Sequence, residues 1–101
     1  MPVNHLVFLK LRPSSDAAAV MAALRALVGV IPGLRSFSGG ANTSTEGIAR
    51  GYTHAFAMVF DDAAARDGYL PHPEHVRVKD FIGAHLQEGP EPVCVVDYEF
   101  A

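Results

Sequence analysis

Two prolines, Pro71 and Pro73, constrain this fold more than any other feature, because they separate two segments that each have helical character. Proline fixes φ and has no backbone N–H, so a helix that begins near residue 63 must end before Pro71. Pro73 suits the first position of a new helix. The sequence therefore predicts two helices joined by a sharp break, with His72 as the N-cap of the second helix.

The break also places His75 in the first turn of the second helix, near the positive end of the helix dipole. That field disfavours the charged imidazolium, so we expect His75 to be neutral near pH 7 and available as a base or a hydrogen-bond acceptor. Two interpretations fit the spacing. His75 and Tyr69 either face a binding site or pack in the core, with His72 acting only as a cap, since perturbed titratable groups occur in both settings.

Length and composition indicate one globular domain that spans residues 1–101. Half of the residues are hydrophobic and 19% are charged, which favours a globular domain over a disordered chain. The formal net charge is -3 and no run of basic residues occurs. Neither nucleic acid nor an anionic membrane surface is therefore predicted as a partner.

The single cysteine, Cys94, lies in an apolar run and is predicted to be a buried thiol. It cannot form an intrachain disulfide, which suits a reducing cytoplasm. The first residues lead into a strand pattern rather than a signal peptide, and no apolar run has the length of a membrane span. We therefore expect a cytoplasmic protein.

Apolar residues at every second position predict strands. The predicted strands are residues 3–11, 34–39, 52–60 and 92–100. The first strand carries His5 as the one polar residue on its more apolar face. If the first and third strands are antiparallel neighbours, His5 and His54 lie at opposite ends of the surface that they share, because each is near the start of its strand.

Apolar residues at three- and four-residue steps predict helices. The first helix runs from a cap at Ser14 or Ser15 to about Val28, and its apolar stripe includes Val28. The other two helices are predicted at 63–69 and 73–86. The order β-α-β-β-α-α-β is typical of an α+β fold of the ferredoxin-like, split βαβ type, with one four-stranded antiparallel sheet and helices on one face.

The second face of the predicted sheet is too apolar to remain in water. On the two central strands it carries Leu6, Phe8, Ala55, Ala57 and Val59. A symmetric homodimer that packs two such sheets face to face would cover these side chains.

Four segments of the sequence resemble the stress-responsive dimeric α/β-barrel (Dabb) family. They are His5-Leu6-Val7-Phe8-Leu9-Lys10, Gly51-Tyr52-Thr53-His54, Tyr69-Leu70-Pro71-His72-Pro73-Glu74-His75-Val76 and Val96-Asp97-Tyr98-Glu99. The Tyr-x-x-His-Pro-x-His-Val block is the most specific of them. The resemblance covers nearly the whole chain and implies a ferredoxin-like unit that dimerises through its sheets.

Within that family, the chain is similar to members that close a linear polyketide by an intramolecular aldol reaction. The similarity implies that His75 and Tyr69 are catalytic, with His75 as the base and Tyr69 as the donor to the enolate or alkoxide oxygen. It also places His5 and His54 in the pocket. The apolar candidates for the pocket wall are Val7, Phe56, Leu24 and Val78. No metal, nucleotide or other cofactor is implied.

Two other functions compete with the cyclase hypothesis. One is a non-catalytic dimer that binds a small apolar or phenolic ligand or serves as a stress-protective scaffold. The other is a cofactor-free or haem-dependent monooxygenase of the wider barrel superfamily, although no spacing typical of metal ligands is present.

The sequence leaves two structural details open. The polar loop at 42–50 is either a lid or a solvated connection, and Asp97 either orients a neighbouring histidine or lies on the surface.

Overall fold

The computed structural model describes residues 1–101, and its elements follow the predicted order β-α-β-β-α-α-β. The strands are β1 (Val3–Leu9), β2 (Leu34–Ala41), β3 (His54–Phe60) and β4 (Val93–Glu99), and the helices are α1 (Ala17–Arg25), α2 (Ala63–Tyr69) and α3 (Pro73–Gly83). All strand pairs are antiparallel and the sheet order is β2-β3-β1-β4. The predicted ferredoxin-like fold is confirmed, including the central position of β1 and β3.

The break between α2 and α3 has the predicted structure. Asp62 caps α2 by accepting a hydrogen bond from the backbone N–H of Ala65 at 2.8 Å. His72 is the N-cap of α3, and its Nδ1 accepts a hydrogen bond from the backbone N–H of Glu74 at 3.1 Å. Because Nδ1 of His72 satisfies a backbone donor that a helix start would otherwise leave unpaired, this histidine has a local structural task.

The ends of the other helices differ from the prediction. Asp16 rather than Ser14 or Ser15 caps α1, since its carboxylate accepts from the N–H of Ala19 at 3.0 Å. Helix α1 ends at Arg25, so Val28 lies outside its apolar stripe and is exposed. The sequence could not rank three adjacent residues that all suit an N-cap.

Helix α3 ends at Gly83 instead of Leu86. The chain that follows pairs with the end of the first strand segment, where Leu11 and Leu86 form an isolated bridge. The N–H of Arg12 donates to the carbonyl of His85, and the N–H of Gln87 donates to the carbonyl of Lys10. These long-range bonds satisfy backbone groups that a longer helix would have paired internally. Strand β1 ends at Leu9 and not at Leu11 as predicted, because the chain beyond Leu9 pairs with the segment after α3.

The hydrophobic core lies between the helices and the inner face of the sheet. The inner face contributes Val3, Val7, Leu9, Phe56, Met58 and Phe60, and the helices contribute Val20, Leu24, Tyr69, Val78 and Ile82. His5 is the one buried polar residue and is 5% exposed. A polar side chain at this depth requires a hydrogen-bond partner.

The outer face of the sheet is not covered by any element of the chain. Leu6, Phe8 and the small side chains of β3 are only partly buried there, and on β4 the side chain of Val96 is 51% exposed. Cys94 lies on this face and is half-buried, so the prediction of a buried thiol is wrong for the isolated chain. None of the three helices has the length and apolar character needed to cross a membrane.

Candidate functional site

A cavity of about 300 Å³ lies between α3 and the inner face of the sheet. Its volume is at the lower end of the range that small-molecule pockets occupy, ~300–1,000 Å³. Seven of the eight residues that the sequence nominated line it: His75, Tyr69, His5, Val7, Phe56, Leu24 and Val78. The other lining residues are Leu9, Leu70, Lys79, Ile82, Leu86, Val93 and Val95. Most of the wall is therefore aliphatic or aromatic, with a few polar groups.

The eighth nominated residue, His54, lies elsewhere. In the register of β1 and β3, His5 is opposite Met58 and Leu9 is opposite His54. The two histidines are thus separated along the strand pair by the distance from residue 5 to residue 9, roughly 13 Å. This separation agrees with the expectation that antiparallel pairing places them at opposite ends.

His54 lines a second cavity of about 410 Å³ together with Phe8, Tyr52 and Cys94. Its Nδ1 is 2.8 Å from the Thr53 hydroxyl oxygen. Residues 42, 44 and 48–50 of the polar loop also line this second cavity. The loop does not border the cavity that contains His75, so it is not a lid over that cavity in this structure.

The imidazole of His75 is fixed in one tautomer by the backbone. Its Nδ1 is 3.0 Å from the carbonyl oxygen of Leu70. Because a carbonyl can only accept, Nδ1 carries the hydrogen and donates it. In the neutral ring, Nε2 then keeps its lone pair and can accept a proton or a hydrogen bond.

The surroundings of His75 favour its neutral form. Burial lowers the pKa of His75, and Lys79 and His5 lower it further, while hydrogen bonds to the carbonyls of Leu70 and Tyr69 act in the opposite direction. The net pKa is below the ordinary value of ~6.5. His75 is therefore neutral near pH 7, as the sequence predicted, although burial rather than the helix dipole is the main cause.

Tyr69, the last residue of α2, presents an unpaired hydroxyl beside His75. The two rings lie with centroids 3.9 Å apart and planes inclined by 32°. Tyr69 is only 1% exposed, and no other group of the chain forms a hydrogen bond with its hydroxyl. Burial raises the pKa of Tyr69 well above its usual value. The phenol therefore keeps its proton and can act as a hydrogen-bond donor.

His5 is held by an acidic residue on the neighbouring strand. The register of β1 and β4 places His5 opposite Asp97, and Nδ1 of His5 is 2.7 Å from Oδ1 of Asp97. The sequence left open whether Asp97 orients a neighbouring histidine or lies on the surface, and in the structure it orients His5. The imidazole of His5 packs edge-on against the Tyr69 ring, with centroids 5.8 Å apart.

Arg66 completes this arrangement, although it was not among the predicted site residues. Its Nη1 donates to Oδ2 of Asp97 at 2.9 Å, and its Nε donates to Oδ1 of Asp67 at 2.8 Å. Arg66 precedes Tyr69 by one helical turn on α2, so the two side chains share one side of the helix. That spacing was the available evidence that Arg66 faces the site.

The fold and the cavity define a ferredoxin-like α+β protein with a mostly apolar pocket, in which two oriented imidazoles flank a buried phenol. No group of three metal-ligating side chains is present. The sequence matches the model of the stress responsive A/B barrel domain (Dabb) over residues 3–100. The chain belongs to this family.

Named relatives and solved structures extend this assignment. The chain is 27% identical over 101 aligned positions to the stress-response A/B barrel domain-containing protein HS1 of Arabidopsis thaliana, covering 97% of this chain and 89% of that protein. It is 28% identical over 83 positions to olivetolic acid cyclase of Cannabis sativa, covering 79% and 82%. A dimeric ferredoxin-like protein from Jannaschia is 32% identical and superimposes with a TM-score of 0.86, covering 99% of this chain and 100% of that one.

Proposed function

We propose that this protein is a homodimeric, cofactor-free enzyme that removes a proton from carbon next to a carbonyl group and closes a ring by an intramolecular aldol reaction. The substrate is a small polyketide- or phenol-like molecule that fits the cavity of about 300 Å³. One observation carries the proposal: His75, fixed with Nε2 unprotonated, stacks beside the unpaired hydroxyl of Tyr69 in one apolar cavity.

The two residues divide the chemistry between them. Nε2 of His75 accepts a proton from the carbon, and the Tyr69 hydroxyl donates a hydrogen bond to the oxygen of the resulting enolate. The enolate carbon then attacks a second carbonyl of the same molecule, forming the C–C bond while the C=O π pair moves onto oxygen. The alkoxide takes the proton back from the His75 imidazolium, which restores the neutral base.

The surroundings support these roles. A base must be unprotonated at the working pH, and the lowered pKa of His75 keeps it neutral near pH 7. A donor must keep its proton, and the raised pKa of Tyr69 ensures that it does. The apolar wall excludes water and strengthens hydrogen bonds to a developing negative charge. The relative from Cannabis sativa is itself named as a cyclase.

A homodimer is supported by the uncovered outer face of the sheet. Leu6, Phe8 and Ala57 lie on that face, which no element of the same chain covers. Three of the similar solved structures, among them the one from Jannaschia, are described as dimeric. We assign the dimer to the cytoplasm because its lone cysteine suits a reducing compartment.

The test compares three forms of the protein on synthetic linear tetraketide thioesters, with the ring-closed product separated by chromatography from spontaneous products. Wild-type protein should give the aldol product. His75→Ala should lower turnover at least ~100-fold with the fold retained. The matched control is His54→Ala, which removes an imidazole from the other cavity and should leave turnover within about twofold.

Undiminished turnover in His75→Ala would overturn the assignment of the base. Equal losses in His75→Ala and His54→Ala would show that the reaction does not occur in the cavity beside α3. Saturable binding by the wild-type protein without any product would instead support the non-catalytic ligand carrier.

A further inference from the structure

We infer that Arg66 is a positioning residue: through Asp97 it holds His5 with an unprotonated Nε2, so that the cavity selects ligands that donate a hydroxyl hydrogen. The inference rests on the ligand cavity of the proposed function but does not require that the protein turns a substrate over. It adds a side chain on α2 that does not line the cavity, and it specifies the hydrogen-bonding chemistry of the ligand.

The geometry is a chain of contacts across three elements. Arg66 on α2 donates to one oxygen of Asp97 on β4, and Nδ1 of His5 on β1 donates to the other oxygen. The exposed fractions of the side chains fall inward, from 24% for Arg66 and 20% for Asp97 to 6% for His5. Because a carboxylate can only accept, the bond to Asp97 requires hydrogen on Nδ1 of His5. The neutral ring then has its lone pair on Nε2.

Arg66 holds the carboxylate that fixes this lone pair. Its guanidinium donates to Oδ2 of Asp97 at 2.9 Å, while Oδ1 of Asp97 accepts from Nδ1 of His5 at 2.7 Å. Without Arg66 the carboxylate is free to turn away from His5, and the ring hydrogen can then lie on either nitrogen. In the molecules with hydrogen on Nε2, that nitrogen is a donor instead of an acceptor.

No other group that faces His5 holds this carboxylate. From the helices, Tyr69 and His75 are uncharged near pH 7, and Lys79 lines the same cavity without forming an ion pair with Asp97. The remaining ring neighbours, Phe56 and Phe60, are apolar. Arg66 is therefore the cation that is bonded to the carboxylate beside His5.

The result is a defined pattern of donors and acceptors. His5, His75 and Tyr69 line one cavity, and the Tyr69 ring packs against both imidazoles. The two imidazoles have an acceptor at Nε2, and the Tyr69 hydroxyl is a donor. A ligand with an enol or phenol hydroxyl satisfies an acceptor. A methyl ether of the same shape leaves that acceptor buried without a partner, which is unfavourable. The matching class of ligand is a small, apolar molecule with a hydroxyl group.

The experiment uses three variants of the full-length protein. Arg66→Met removes the charge, and Arg66→Lys restores it on a different side chain. Asp67→Asn is the matched control, because it removes the charge of the other partner of Arg66 and leaves the contact with Asp97. Two readouts are measured: the ¹⁵N chemical shifts of the His5 ring at pH 7, assigned with His5→Gln, and the calorimetric affinities for 4-propylphenol and its methyl ether.

In the wild-type protein and in Asp67→Asn, Nε2 of His5 should show the shift of an unprotonated nitrogen, and the phenol should bind about fivefold more tightly than the ether. In Arg66→Met, the hydrogen of the His5 ring should lie on Nε2 in about half of the molecules, and the preference should fall to about half of its wild-type value, because only the acceptor of His75 is then unchanged. Arg66→Lys should recover at least half of both effects.

Wild-type ring shifts in Arg66→Met would overturn the positioning role, and equal affinities of wild-type protein for phenol and ether would overturn the ligand preference. If neither probe binds, the ligand preference also fails. The ring shifts are read without ligand or turnover. A failure of the aldol proposal, seen as undiminished turnover in His75→Ala, is therefore distinguishable from a failure of this inference.

Discussion

Tyr69→Phe is expected to make the folded protein more stable while it strongly lowers the proposed activity. The substitution removes one hydroxyl group and leaves the ring, which is 1% exposed and packs against His5, Phe60 and His75. The hydroxyl has lost much of its hydration and has no partner in the chain. A buried polar group without a hydrogen-bond partner lowers the free energy of unfolding by ~1–3 kcal/mol.

The expected gain is at the lower limit of that range or below it, because the hydroxyl borders the cavity and water can reach it in part. We expect the free energy of unfolding to rise by about 0.5–1 kcal/mol. For a domain of this size, the midpoint of thermal unfolding should then rise by about 2–8 °C. Loss of one donor to a developing oxyanion should lower turnover by about 100- to 1,000-fold.

The assay is thermal and urea unfolding of wild type and variant at one fixed protein concentration, because dimerisation makes the midpoint depend on concentration. Tyr52→Phe is the control. The Tyr52 hydroxyl donates to the carbonyl of Glu91 at 3.0 Å, so its removal should give no gain in stability. If Tyr69→Phe is less stable than wild type, the hydroxyl has a stabilising partner. If the variant keeps full turnover, Tyr69 is not the oxyanion donor.

Two further predictions concern pH and assembly. Folding lowers the pKa of His75 below ~6.5. The unfolded chain therefore binds a proton at His75 first when the solution is acidified. The neutral His75 thus contributes fully to the free energy of unfolding above pH ~6.5, and this contribution is lost as the pH falls further. Urea midpoints at pH 7.5 and 5.5 should therefore differ less in His75→Gln than in wild type, and an equal difference would contradict the assigned cause. Ala57→Arg places a charge at the centre of the outer face, opposite Leu6 and Ser38, and should weaken the dimer by about 100-fold or more in sedimentation experiments. The control Ala64→Arg, on an exposed position of α2, should leave it intact, and a dimer that survives Ala57→Arg would show that the outer faces do not meet.

Several features of the site followed from short-range chemistry. The prolines at 71 and 73 predicted where α2 ends and α3 begins, and they predicted the cap at His72. Periodicity predicted which side chains of β1, α1 and α3 face inward, and Val7, Leu24 and Val78 all line the cavity beside α3. These constraints act within about one helical turn or between alternate residues of a strand.

Other features depended on contacts between residues far apart in the chain. The end of α3 is determined by pairing between residues near 11 and 86, which no local pattern records. Asp97 meets His5 across 92 positions, and Arg66 reaches the same carboxylate from a helix. Arg66 went unnoticed because its spacing from Tyr69 was the one indication, and an arginine on a short helix is more often a surface charge.

The sequence by itself therefore determined the order of elements, the break that orients His75 and the composition of the inner face. Only the tertiary structure decided that His5 joins His75 while His54 enters a different cavity. The physical reason is strand register. Alternation specifies which face a side chain occupies, whereas the pairing of β1 with β3 specifies how far along that face it lies.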